Sequence, residues 1–175
     1  MHMKKQKGFT LAELLVSIGL FSIIFSLIMS IFIANFKNYK SIKNDTELQF
    51  QAQYILNFMS DKIIESKYIE LAKYNMISQL KKTNEQEITK ISFRYGDDST
   101  KCYNFEIINN KIFYGDGPVV TSANVELGDY VCQMFACPIP EGTVFDSADA
   151  IKIKIKLRKD SQNYEAEQIM YMRNN

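Results

Sequence analysis

Histidine is nearly missing from these 175 residues: the single one is His2. Without an imidazole beyond the second position, the chain cannot build Ser-His-Asp or Cys-His catalysis, or the usual histidine-containing zinc sites. A carboxylate, lysine or tyrosine enzyme is the residual alternative, and no nucleophile motif supports it. The sequence therefore reads as a non-enzyme with no cofactor and no metal site. Proline is scarce too, with three residues and none before Pro118, so nothing in the first part of the chain forces a helix to kink. Neither sign of charge dominates, since 21 basic residues face 20 acidic ones, and gross electrostatics makes no case for a nucleic-acid binder. Three cysteines (Cys102, Cys132, Cys137) are too few to frame a disulfide miniprotein, and their odd number leaves at least one unpaired within the chain. Internal repeats and low-complexity tracts are absent.

What the chain does have is a long apolar run. From Leu14 to Phe36 no residue is charged, and this exceeds the roughly 20 residues needed to cross a bilayer. A secretory apolar region is shorter, about 7–15 residues, and ends at a small-x-small cleavage site. Phe32, Ile33, Ala34 and Asn35 fit such a site poorly, so a retained membrane span is expected. Lys4, Lys5 and Lys7 before it nearly balance Lys37, Lys40 and Lys43 after it. With the N-terminal amine counted, the start reads as cytoplasmic and the bulk as exported. Ser22, Ser26, Ser30 and Ala34 recur every fourth residue and form one narrow stripe of small side chains. Such a stripe lets helices approach closely in lipid, or it is serine merely tolerated there.

One carboxylate, Glu13, sits at the start of this run. A charge at the centre of a span costs about 2.5–3.5 kcal/mol on insertion scales, and less near an end. Glu13 either reaches the headgroups or has a cationic partner, and no lysine lies within helical reach on its C-terminal side. A cut between Gly8 and Phe9 would create such a partner, a new ammonium at Phe9 that a neighbouring copy could present to this carboxylate.

Lys7-Gly8-Phe9-Thr10-Leu11-x-Glu13, followed by a long apolar run, resembles the prepilin N-terminus of type IV pilins and type II secretion pseudopilins. The resemblance covers about the first 30 residues. It implies cleavage after Gly8 by a membrane-embedded prepilin peptidase on the cytoplasmic side, with methylation of the new N-terminal Phe9. It also implies that Glu13, with Thr10 beside it, guides the subunit into a filament. The implied partners are other pilin or pseudopilin subunits, the peptidase, the inner-membrane assembly platform and the membrane itself. Before assembly the chain would be a single-pass cytoplasmic-membrane protein with an exported head. Afterwards it would lie in a cell-surface or periplasmic filament.

Beyond the span, Leu48, Ala52, Ile55, Leu56, Met59 and Ile63 keep helical spacing on about a third of the circumference. A helix from Phe9 to about Tyr68 would be on the order of 90 Å long. Phe50, Tyr54 and Phe58 form a second line about 150° away. They either widen the core-facing surface or meet neighbouring helices in a filament. "SKYIELAKYNMISQL" reads as helix or loop, and Lys81 to Glu87 as a polar connector. Period-two patterns then give strands at Ile88–Tyr95, Lys101–Ile108, Lys111–Tyr114, Tyr130–Phe135, Ile151–Arg158 and Tyr164–Arg173. Asn109-Asn110 and the stretch Asp160 to Asn163 suggest hairpin turns. The expected fold class is α+β, a long N-terminal helix packed on a C-terminal antiparallel sheet. Its divisions are a leader at 1–8, a membrane or filament-core helix at 9–36, an amphipathic continuation with connector at 37–80, and a sheet head at 81–175. A long helix, a sheet and a closing strand ending Arg-Asn resemble minor pilins and minor pseudopilins of the PilW and GspJ kind, which tilts the reading toward a minor subunit.

Three further features carry alternatives. "IKIKIKLRK" (Ile151 to Lys159) puts four cations on one strand face, which could bind DNA or another anionic surface. The plainer reading is solvated lysines that discourage edge-to-edge aggregation, so nucleic acid is a disfavoured partner. An exported location permits a Cys132–Cys137 disulfide, with buried thiols as the other reading. Asp97, Asp98, Asp116, Asp129, Asp146 and Asp149 read as turn residues, since their spacing fits no calcium site. A structural filament subunit is the favoured role. An anchored module whose head captures DNA, a surface or secreted cargo is the alternative.

Overall fold

The apolar period ends where the first helix does. In the computed structural model, which describes residues 8–74, 84–96, 101–117 and 125–173, helix α1 runs Leu11–Ile63. The next positions on its buried face are Ser66, Lys67 and Glu70, which offer no apolar surface, and a turn at Ile64 and Glu65 closes the helix. It therefore stops about five residues short of the expected Tyr68. Eight strands follow among the described residues: β1 Ser66–Tyr74, β2 Gln86–Tyr95, β3 Cys102–Ile108, β4 Lys111–Asp116, β5 Val125–Gly128, β6 Val131–Ile139, β7 Ala150–Lys159 and β8 Gln162–Tyr171. A single 3-10 turn, Phe145–Ser147, precedes β7. The chain divides into two compact units, one ending at Lys43 and the other covering Asn44–Asn175.

Within the second unit the strands form one sheet in the order β5-β4-β3-β2-β6-β7-β8, with β1 also paired to β2. Every ladder is antiparallel. Two hairpins follow from local chemistry. Asn109 and Asn110 take φ of 52° and 61° between paired Ile108 and Lys111, and asparagine tolerates this left-handed region. Asp160 (φ 53°) and Ser161 join Lys159 to Gln162 in a second two-residue turn, with only Asp160 in the left-handed region. The six expected strands are all present with shifted ends. β1 replaces the expected helix or loop, and it pairs with β2 through three register irregularities.

The core lies between the sheet and the second half of α1. Leu48, Ala52, Ile55, Leu56, Met59 and Ile63 are all buried, as their spacing predicts, against residues such as Phe93, Phe105, Met134, Ile153 and Ile155. Polar contacts fix the helix on the sheet. Lys159 Nζ donates to Glu47 Oε1 at 2.6 Å, and Asn44 Nδ2 donates to Asp160 Oδ2 at 3.3 Å. At β5 the helix comes so near that a Cβ on Gly128 would lie 2.6 Å from Gln51 Oε1 and 2.8 Å from Ile55 Cδ1. Any side chain there would have to displace the ends of Gln51 and Ile55.

Candidate assembly site at the helix N-terminus

The first unit is a bare helix: every described residue from Gly8 to Lys40 is exposed, including Phe9, Leu14, Phe21, Phe25 and Phe32. By length and composition the helix can cross a membrane. An apolar surface this large calls for lipid or neighbouring helices to cover it.

Glu13 sits at the third helical position, with Thr10 as the residue before the helix. The Thr10 N–H donates to Glu13 Oε2 at 2.9 Å, and the Thr10 hydroxyl donates to the same oxygen at 2.9 Å. In return the Glu13 N–H donates to Thr10 Oγ1 at 3.3 Å. This reciprocal arrangement is a capping box, which satisfies amide hydrogens that the first helical turn leaves unpaired. The positive end of the helix dipole further favours a carboxylate at this place. Glu13 is thus held locally through Oε2, while no described residue bonds Oε1. An open groove of about 340 Å3, lined by Phe9, Ala12, Glu13, Val16 and Ser17, adjoins it. The Thr-x-x-Glu spacing ahead of an apolar run is the sequence signal for the box, and a reading of Glu13 in terms of a cationic partner does not reveal it. Gly8 and Phe9 both lie exposed ahead of the helix, with open space around Gly8. Residues 1–7 of the expected leader lie outside the described residues.

The serine stripe satisfies itself. Ser22 and Ser26 donate to the carbonyls of Gly19 and Ile23, each at 2.8 Å, and Ser30 donates to the Ser26 carbonyl at 2.9 Å. Each of these hydroxyl protons is thus used within its own helix. The aromatic line divides. Phe50 is 71% exposed and Tyr54 49% exposed. Phe58 instead packs edge-on against Tyr114, with ring centroids 5.2 Å apart, and belongs to the head's core.

Two other expectations change. All three cysteines are free, and the permitted Cys132–Cys137 bridge is not formed. Both lie on β6, five residues apart. That separates them by about 17 Å along a strand, far beyond the roughly 7 Å between Cα atoms that a disulfide can span. Cys137 is buried, which pushes its thiol pKa upward. The lysine strand β7 is interior, between β6 and β8, so its cations protect no edge. Lys154 bonds Glu85 at 2.7 Å and Lys156 bonds Glu165 at 2.8 Å, and both lie over the Phe135 ring. Two of the four cations on that face are thus paired with carboxylates, which reduces its electrostatic footprint for an anionic polymer. Asp97 and Asp98 lie outside the described residues. Asp116 accepts a hydrogen bond from the Tyr95 hydroxyl, and no metal-competent cluster occurs among the described residues.

Comparison with known proteins agrees with the site. Residues 3–32 match the family described as the prokaryotic N-terminal methylation motif. The match spans the box, the Gly8–Phe9 bond and most of the apolar run, and it supports a processed, membrane-anchored subunit of type IV pilin-like kind. No curated protein and no solved structure matches the chain.

Proposed function

We propose that the chain is a filament subunit of the type IV pilin or pseudopilin kind. The observation that carries this reading is the coincidence of the methylation motif at residues 3–32 with a Thr10–Glu13 capping box heading a fully exposed apolar helix. Hydrolysis of the Gly8–Phe9 amide by a prepilin peptidase leaves a carboxylate on Gly8 and an ammonium on Phe9, which is then methylated. The N-terminus faces the cytoplasm and the head is exported.

Thr10 holds one oxygen of Glu13, and the other remains to accept the ammonium of a neighbouring subunit. In low dielectric that pairing offsets the desolvation of both ions only if each is hydrogen-bonded, and the box supplies part of that bonding. Ser22, Ser26 and Ser30 give the helices a close-approach face, and Phe50 and Tyr54 extend the contact beyond the membrane. The layout of long helix, sheet and closing strand favours a minor subunit over the abundant one.

The test is incorporation of Glu13→Leu and Glu13→Gln into filaments sheared or pulled down from the native cell. Loss of both from the polymer, with the membrane pool retained, is the expected result. Normal incorporation of either variant contradicts the role given to this carboxylate.

A further inference from the structure

The sheet has two unlike ends. At one, β5 is only four residues long and its register with β4 is irregular. At the other, β8 keeps unbroken register with β7 over ten residues, and it contains no proline, glycine or lysine. Its charged residues are Glu165 and Glu167 alone, and a long, regular edge so lightly guarded is what soluble proteins avoid unless a partner covers it.

The hairpin fixes which backbone groups are free. A two-residue turn makes Lys159 and Gln162 a hydrogen-bonded pair, so every second residue from Gln162 bonds to β7. The odd-numbered residues from Asn163 to Tyr171 turn their N–H and C=O groups outward, where no described strand pairs with them. The next odd residue, Arg173, has its N–H donating outward to the Ser66 carbonyl at 2.9 Å, in keeping with this parity. The same odd residues carry the exposed side chains: Glu165 and Glu167, then Ile169 (46% exposed) and Tyr171 (65% exposed). Glu165 pairs with Lys156, whereas Glu167 makes no ion pair among the described residues.

A second copy fits this edge badly. A twofold antiparallel pairing joins residues of equal parity. Its two registers of largest overlap set Glu165 against Glu167, or Glu167 against its own copy. Like charges directly opposite destabilise a strand pair.

We propose that the free edge of β8 docks an extended segment of a different chain, added antiparallel. That segment bears cations opposite Glu165 and Glu167 and apolar side chains opposite Ile169 and Tyr171. Backbone ladder bonds supply affinity, and the alternate side chains select the partner. The inference stands on the sheet alone and does not require the filament role.

The test uses the full chain in detergent micelles and a capped, dye-labelled peptide, Val-Thr-Ile-Thr-Lys-Thr-Lys, read by fluorescence anisotropy. The control peptide carries glutamate in place of both lysines. The lysine peptide should bind about tenfold more tightly than the control or better, and Glu167→Lys should erase that preference, because each peptide then meets one opposite and one like charge. Glu167→Pro removes an outward N–H while leaving the β7 ladder intact, and it should abolish binding of the lysine peptide. Unchanged thermal midpoints show that the variants fold, and if the proline variant does not fold, the loss of preference in Glu167→Lys decides alone. Equal binding of the two peptides, no binding of the lysine peptide, or indifference to a folded Glu167→Pro overturns the proposal. So does concentration-dependent self-association of the chain that Glu167→Pro removes, because the partner is then a second copy.

Discussion

Thr10 and Glu13 show how one side chain makes another affordable in an apolar setting. The box predicts a graded series at position 10. Thr10→Ser keeps a hydroxyl and should assemble almost normally. Thr10→Ala should lose about 0.5–2 kcal/mol of capping and lower incorporation, though less than Glu13→Leu does. Equal incorporation of the alanine and wild-type chains would show that the box does not serve assembly. At the other end of the helix, Gly128→Ala places a methyl against Gln51 and Ile55. The expected loss is about 1–3 kcal/mol, the range for overpacking, read as a lower thermal or denaturant midpoint of the chain. No change would mean that helix and β5 part more easily than their contact implies.

At the scale of elements, α1 shows what periodicity can and cannot reveal. Leu48 to Ile63 repeat at helical spacing, and each of those positions is buried because a helix on a sheet must hide one face. The second line was legible as a line but not as a boundary. Whether Phe58 faces Tyr114 or a neighbour depends on where β4 lies, which no local pattern encodes. The two halves of that line therefore predict different phenotypes. Phe58→Ala should destabilise the head by about 1–3 kcal/mol, below the 3–5 kcal/mol of a fully buried ring. Phe50→Ser and Tyr54→Ser should leave the denaturation midpoint in place and reduce incorporation. A shifted midpoint for Phe50→Ser would move that ring into the core.

β1 was the least readable element. Glu70, Leu71, Ala72 and Lys73 are adequate helix formers, and only pairing with β2, under tertiary control, makes them a strand. β5 is not legible, because four residues show no period. The hairpins at Asn109-Asn110 and Asp160 were visible, since their turn residues act through local backbone preference.

For the whole molecule, the head's tyrosine cluster sets an alkaline limit. Tyr95 and Tyr103 stack with centroids 4.1 Å apart, and Tyr114 lies 5.9 Å from Tyr103. Burial, with the hydrogen bond to Asp116 adding to it, raises Tyr95 to about 12. Burial, with the Asp116 and Glu65 charges behind it, raises Tyr114 to about 12 as well. Burial and the hydrogen bond to Glu65 push Tyr103 up too. A phenol whose pKa is raised by folding contributes stability in full below its unfolded value, about 10, and loses it as pH climbs through the folded value. Stability should therefore fall between about pH 10 and 12, and tyrosinate absorbance should rise with unfolding. Ionisation of Tyr95, Tyr103 or Tyr114 near pH 10 in a still-folded head would contradict this cluster. Alkylation of the unfolded, unreduced chain should label all three cysteines, because none is bridged.

The account depends above all on where the mature chain begins. Mass spectrometry of the protein's N-terminus, from native cells with and without an active prepilin peptidase, tests this most directly. The account predicts a chain starting at N-methylated Phe9 in the first case and an uncut chain in the second. A native protein that keeps Gly8 and the residues before it, with the peptidase active, would contradict it.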